Sequence, residues 1–377
     1  MRGAVFAAFL LGGIALAQSS AQTAQPQAGI IVRRPGEPLR GPVGIPVPPP
    51  KPNLAPSIRA SFKGTILLRR ESGIFVVRSG DKFARRVLSG AYSASLSPDS
   101  RQVAYFSQKQ IRLLTLAADG SSKSDTVLEE LPGAQVEEIG WSADGAMLAY
   151  DVQAQTNSGV HVASLATRAV RRVSADAGAI SFSADGKYLL GTDTRRGLMR
   201  YRLADDFSEV VYRFPPTWTA KFSPAGSVGV LMPVPRPPSD ASDDEPDCTG
   251  AQLQLDIVGP GKAWTVPFPK GFDDVHDFDF SPDGRQVVVG FGTVGCDYPG
   301  DSGAVYLVSL SDGSFRRLTP TGIALKGRFS PDGKQVAYTD FPVGNSPSVF
   351  ILDLATGKAA PLIAPDEFGI DEVLDWR

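Results

Sequence analysis

The sequence predicts an all-β chain folded as a seven-bladed β-propeller, closed by pairing of the C-terminal strand with the N-terminal blade. Three observations lead there. A hairpin signature recurs six times, at Leu96-Ser-Pro-Asp, Trp141-Ser-Ala-Asp-Gly, Phe182-Ser-Ala-Asp-Gly, Phe222-Ser-Pro-Ala-Gly, Phe280-Ser-Pro-Asp-Gly and Phe329-Ser-Pro-Asp-Gly. Its serines, Ser97, Ser142, Ser183, Ser223, Ser281 and Ser330, are spaced by 45, 41, 40, 58 and 49 residues, near the period of a four-stranded blade. Trp376 then supplies a seventh large apolar residue without a hairpin after it, while Gly64-Thr-Ile-Leu-Leu68 reads as a second strand lacking a first. Pairing these two segments would leave no open sheet edge in the ring.

Residues 1–17 read as a signal peptide: Arg2 precedes the apolar stretch Ala4–Leu16, and Ala15-Leu-Ala17 is a small-x-small cleavage site. That stretch is shorter than the roughly 20 apolar residues of a membrane-spanning helix, and no later run approaches that length. Residues 18–57 form a Pro-rich linker with too little apolar surface to offset the entropy of ordering it. The propeller is placed at 58–377. Residues 1–101 hold 14 Lys and Arg against 4 Asp and Glu, so the chain's formal charge of -2 conceals a basic leader and an acidic remainder. An exported chain of nearly balanced charge is a poor nucleic-acid partner.

Each repeat supplies four strands. In the unit starting near Val275, Asp277-Phe-Asp-Phe280 alternates as a first strand, followed by Gln286–Val289, Ala304–Val308 and Phe315–Leu318. In the connecting turn Pro presets the second position, Asp suits the third and Gly accepts the left-handed conformation. The aspartates are therefore structural, consistent with Ser223-Pro-Ala-Gly226, which keeps the turn without the acid. The large residue before each serine is expected between blades, where aromatic area contributes most. Arg85-Arg86, Arg171-Arg172 and Arg316-Arg317 fall on outer strands, where charge guards an exposed edge against pairing.

The repeated Phe-Ser-Pro-Asp-Gly-Lys/Arg-x-apolar hairpin, clearest at Phe280–Arg285 and Phe329–Lys334, with the later Leu354-Ala-Thr-Gly-Lys358, resembles the TolB-type, WD-like propeller repeat. The likeness extends over nearly all of 64–377. It implies a periplasmic propeller that works by binding other proteins. In place of the family's α/β domain this chain has the Pro-rich leader, and its ring is larger.

Two cysteines in an exported chain are expected to pair, Cys248 with Cys296. Both lie in loops between second and third strands of adjacent blades, and the bridge would contribute roughly 4 kcal/mol in the chain-entropy model. The acidic insertion 233–248, with the neighbouring loop, gives a candidate binding face of Asp243, Asp244, Asp247, Asp297, Tyr298 and Asp301. It suits a basic partner, or calcium held by oxygen ligands, although the acids follow no recognised calcium spacing.

Enzyme signals are weak. Gly300-Asp-Ser-Gly303 resembles a serine-protease nucleophile, but it lies in a loop of a repeat fold, and neither His161 nor His276 sits in that family's histidine motif. A Gly-x-Ser-x-Gly elbow is absent, and two histidines with two paired cysteines do not suit a transition-metal centre. His276 starts an innermost strand and is read as structural. Asp277 and Asp279 would face away from the inter-blade apolar side and form the best acid–base candidate, although the sialidase Ser-x-Asp-x-Gly spacing is missing. No catalytic residue, metal site or cofactor is assigned. The expected function is a monomeric, non-enzymatic, protein-binding scaffold of the cell envelope. The alternatives are a periplasmic hydrolase or lyase using channel carboxylates, and a small-ligand or calcium sensor.

Overall fold

The computed structural model describes residues 57–70, 72–91, 93–176, 178, 180–205, 207–213, 219–234, 252–259, 262–293, 303–320, 324–340, 348–363 and 372–377. Among these, seven antiparallel sheets of four strands form the blades of a propeller. Blade 1 joins Thr65–Arg70, Gly73–Arg78 and Arg85–Leu88 to the final strand Glu372–Trp376, which lies innermost. From axis to rim, blade 2 is Ser93–Leu96, Gln102–Ser107, Gln110–Leu116 and Ser122–Glu130. Blade 3 is Ile139–Trp141, Met147–Val152, Gly159–Ser164 and Val170–Ser174, and blade 4 is Ser181–Phe182, Tyr188–Asp193, Gly197–Arg202 and Ser208–Tyr212. Blade 5 is Thr219–Phe222, Val228–Val234, Gln252–Gly259 and Lys262–Thr265. Blade 6 is Asp274–Phe280, Gln286–Gly292, Gly303–Ser309 and Phe315–Arg317. Blade 7 is Ala324–Phe329, Gln335–Asp340, Ser348–Asp353 and Ala359–Pro361.

Closure follows the expected register, with Ile66 opposite Trp376. The Thr65 N–H donates to the Arg377 carbonyl at 2.6 Å, and the Arg377 N–H returns to Thr65 at 2.9 Å. A second lock was not foreseen. Residues 57–63 cross the seam between blades 7 and 1, with Ile58 N–H donating to Lys82 O at 2.9 Å and Arg59 N–H to Leu362 O at 2.8 Å. Trp376 Nε1 donates to Lys63 O at 2.7 Å, and its ring meets Phe62 edge-on with centroids 6.1 Å apart.

The apolar core is divided among the seams. Seven buried clusters are found among the described residues, and each straddles one pair of neighbouring blades. Alternation along each strand produces this, since both faces of an inner sheet must be covered and only adjacent blades can cover them. Trp141 packs with Ala104 of blade 2, and Phe329 packs with Val288 of blade 6, so the large residue of the repeat does fill the inter-blade space.

The hairpin turns have a common interior. In blade 6 the Ser281 hydroxyl donates to Asp283 at 2.6 Å and accepts the Gln286 N–H at 2.9 Å, while Asp283 also accepts the Arg285 N–H at 3.0 Å. The same serine–aspartate pair recurs at Ser97, Ser142, Ser183 and Ser330. Gly284 closes the turn at φ 66°, and in blade 2, where the sequence lacks glycine, Ser100 adopts φ 59° instead. The aspartates are structural, as expected.

Because the inner strands of blades 2 to 7 end at such a hairpin, the connections after their second strands and before their inner strands leave from the opposite face. Leu253 N–H donates to Asp274 Oδ1 at 2.5 Å, and Asp274 is registered with Gly292. The strand ends flanking 235–251 and 294–302 therefore adjoin on that loop face. No helix among the described residues is long and apolar enough to cross a membrane.

Candidate functional site

The inner strands present alternate side chains to the axis. Counting back from the large apolar residue, the first position places Ser95, Ser181, Lys221, Asp279, Arg328 and Asp375 around it. Two residues further from the hairpin, toward the loop face, come Ser93, Glu138, Thr219, Asp277 and Lys326. Polar residues here reflect strand alternation, since the intervening positions are taken by the inter-blade cores.

Most of these groups are consumed by clasps between blades. Asp375 accepts Leu96 N–H at 3.1 Å, Ser181 accepts Phe222 N–H at 2.9 Å and Asp279 accepts Phe329 N–H at 3.0 Å. In all three the residue before the large apolar side chain holds the corresponding backbone of the next blade. Elsewhere the Ser93 hydroxyl donates to Val136 O at 2.7 Å, and Trp141 Nε1 donates to Ser95 O at 3.2 Å.

Blades 5, 6, 7 and 1 form a continuous ion-paired wall. Lys221 Nζ lies 3.3 Å from Asp277 and donates to Phe278 O at 2.6 Å. Arg328 pairs with the other oxygen of Asp277, and Glu372 is flanked by Lys326 and Arg69. Burial alone would raise Asp277, but Arg328, Lys221 and Lys326 together hold it well below the usual carboxylate range. Burial raises Asp279 against the opposing charges of Lys221 and Arg328. His276 and Lys326 occupy bulges in their inner strands, Lys326 at φ 53°, and such bulges re-aim side chains. The His276 ring is lowered by burial and then by Lys326, which favours the neutral imidazole.

Glu138 differs from the rest. It immediately precedes the inner strand of blade 3 and bridges two further blades, accepting the Ile180 N–H at 2.9 Å and the Thr219 hydroxyl at 3.1 Å. Behind it Asp151, 1 % exposed, accepts the N–H groups of Glu137 and Glu138 at 2.9 and 2.7 Å. Burial pushes Glu138 up to about 7, with the Ile180 N–H opposing and the Asp151 charge adding. Asp274, at the loop-face end of blade 6, is pushed up to about 6 by burial, with the N–H groups of Leu253 and Val275 opposing.

The sequence-derived site is reached in part. Asp277 and Asp279 do face the axis, but as members of inter-blade clasps. His161 is buried between blades 2 and 3, with Nδ1 3.4 Å from Glu129 and Nε2 3.2 Å from Asn157 O. Asp243, Asp244, Asp247, Asp297, Tyr298, Asp301 and the Cys248–Cys296 pair all lie outside the described residues. Sequence reasoning missed Glu138, Lys221, Lys326, Arg328, Glu372 and Asp375. The signal that would find most of them is position, one or three residues before the large apolar residue of each repeat.

Similarity to solved structures is broad, and it is a similarity of fold. TolB from Acinetobacter baumannii matches with a TM-score of 0.50 at 19% identity, covering 84% of this chain and 67% of that one. Oligogalacturonate lyase from Vibrio parahaemolyticus matches with a TM-score of 0.54 at 15% identity, covering 80% of this chain and 86% of that one. A prolyl endopeptidase matches with a TM-score of 0.55 at 13% identity, covering 85% of this chain and only 50% of that one. No family model and no curated protein matches the chain. The architecture is thus a TolB-like seven-bladed propeller, a scaffold found on both enzymes and TolB.

Proposed function

We propose that the chain is an exported, periplasmic propeller that acts without catalysis, holding a protein or envelope component against its loop face. The single observation that carries this is the state of Asp277 and Asp279. A general acid–base pair needs groups titrating near the working pH and free to reach a substrate. Asp277 is locked between two cations and held far too acidic, and Asp279 is spent on the Phe329 backbone. Binding propellers instead carry function on loops positioned by a rigid scaffold. On this reading Asp243, Asp244, Asp247, Asp297, Tyr298 and Asp301 form the docking patch, tied by a Cys248–Cys296 bridge, and the mature protein starts after residue 17. The repeat resemblance supports binding, while the likenesses to the solved TolB, lyase and peptidase structures are of fold alone.

Cross-linking in intact cells, with the wild type and a variant lacking residues 239–247, tests it. The expected result is one specific partner joined to the wild type and lost from the variant, with the wild type released by osmotic shock. Unchanged partners, or retention in the cytoplasm, would overturn the reading. Turnover of an oligosaccharide or peptide that disappears in Asp277→Asn would establish an enzyme instead.

A further inference from the structure

We infer that the loop-face mouth of the axial channel, at Glu138, is a receptor for one organic cation, a lysine or arginine side chain presented by the bound partner. The inference rests on the loop face being the docking face. Charge balance along the axis points to it. Asp277 is matched by Lys221 and Arg328, which also act on Asp279 from further away, Glu372 by Lys326 and Arg69, and Asp375 by Arg377. Among the described residues no cation lies within 4.0 Å of Glu138, and its only donors are one backbone N–H and one hydroxyl. A carboxylate has about four acceptor sites, so two remain for a guanidinium or ammonium group.

The surroundings sharpen the preference. Blade 3 adds a second negative group, Asp151, behind Glu138, and among the described residues blade 4 contributes the Ile180 N–H. Blade 5 contributes Thr219 and Lys221, whose Nζ is committed to Asp277 and Phe278 O. The preceding residue, Glu137, is acidic too. An entering cation therefore meets a carboxylate that Lys221 offsets only from a distance, in partly buried surroundings where one ion pair is stronger than at an open surface. The position also fits, because Glu138 and Thr219 stand at the starts of their inner strands, the ends from which the loop-face connections enter.

Calorimetric titration of the full-length mature protein with n-butylguanidinium and n-butylammonium, against n-butanol and potassium at equal ionic strength, tests the site. Saturable binding of the organic cations is expected, at least about tenfold weaker in Glu138→Gln, whose amide preserves the packing. With Glu138 titrating at about 7, affinity should be about thirtyfold weaker at about pH 5.5 than at about pH 8. Thr219→Val removes a donor to the carboxylate and should move the pH midpoint upward while leaving binding intact at high pH. Equal binding by a folded Glu138→Gln protein, equal binding of n-butanol, or no saturation by the wild type would overturn the inference. These probes need no partner, so their failure is separable from failure of the docking reading, which the 239–247 deletion reports.

Discussion

The Asp279 carboxylate on blade 6 accepts the backbone N–H of Phe329 on blade 7 at 3.0 Å, and the same clasp joins Asp375 to Leu96 and Ser181 to Phe222. The acid serves here as a hydrogen-bond acceptor between sheets that share no ladder. Asp279→Ala leaves a buried N–H without its acceptor, while Arg328 keeps Asp277 as its ion-pair partner, a loss of about 1–3 kcal/mol. Asp279→Asn keeps an acceptor and should recover about half. Chemical denaturation of the three proteins measures this, and equal stability of the Ala variant would remove the clasp as a source of stability.

Glu138 gives stability an unusual slope. Its folded pKa, raised by burial to about 7, exceeds the ordinary 4.5, so the folded state binds the proton more tightly. Glu138 therefore stabilises most below pH 4.5, and its contribution falls as pH rises toward about 7. The change is on the order of 1–3 kcal/mol, since solvent at the channel mouth reduces it. Asp274 adds a slope of the same sign and His276 one of opposite sign. The difference between wild type and Glu138→Gln across this range isolates Glu138, and parallel curves would contradict the assignment.

Ser281 anchors its hairpin through Asp283 and Gln286. Ser281→Ala should cost about 1–2 kcal/mol near neutral pH. The Ser281 hydroxyl holds Asp283 below its ordinary 3.8, so the part acting through Asp283 is present above 3.8 and is lost as pH falls through the lower, folded value. The gap between the acid unfolding curves of the two proteins should narrow at low pH to the part owed to the Gln286 N–H, and a constant offset would mean that the serine does not act through Asp283.

Gly229, on the second strand of blade 5, faces Phe278 across the seam. An added Cβ would sit 2.9 Å from Phe278 Cζ and closer still to Cε2, and Phe278 is 0% exposed. Gly229→Ala should destabilise by about 1–3 kcal/mol through overpacking. A Phe278→Leu change made together with it should restore part of the loss, and strict additivity in the double-mutant cycle would refute direct contact.

Trp376 closes the ring. Trp376→Ala removes a side chain buried against Phe62 and Val373 and a hydrogen bond to Lys63, about 3–5 kcal/mol. Hydrogen exchange should quicken first in Thr65–Arg70 and Glu372–Trp376, the two strands it joins. Uniform acceleration around the ring would show that the seam is no weaker than the others.

The sequence by itself determined the ring. Six copies of a Ser-Pro-Asp-Gly-like turn at blade spacing, with alternating apolar residues on both sides, specify local hairpins. Seven such sheets can bury their faces only against one another. Even the pairing of Glu372–Trp376 with Thr65–Arg70 followed from two half-units in need of each other. Tertiary structure alone decided the use of the axial residues. Asp277 and Asp279 read as candidate acid and base because alternation shows that they face the axis, but it cannot show that Lys221 and Arg328 arrive from blades 5 and 7. Glu138 likewise looked like any loop acid until three blades met around it, because the potential at a carboxyl group depends on distances between strands some 40 and 80 residues apart.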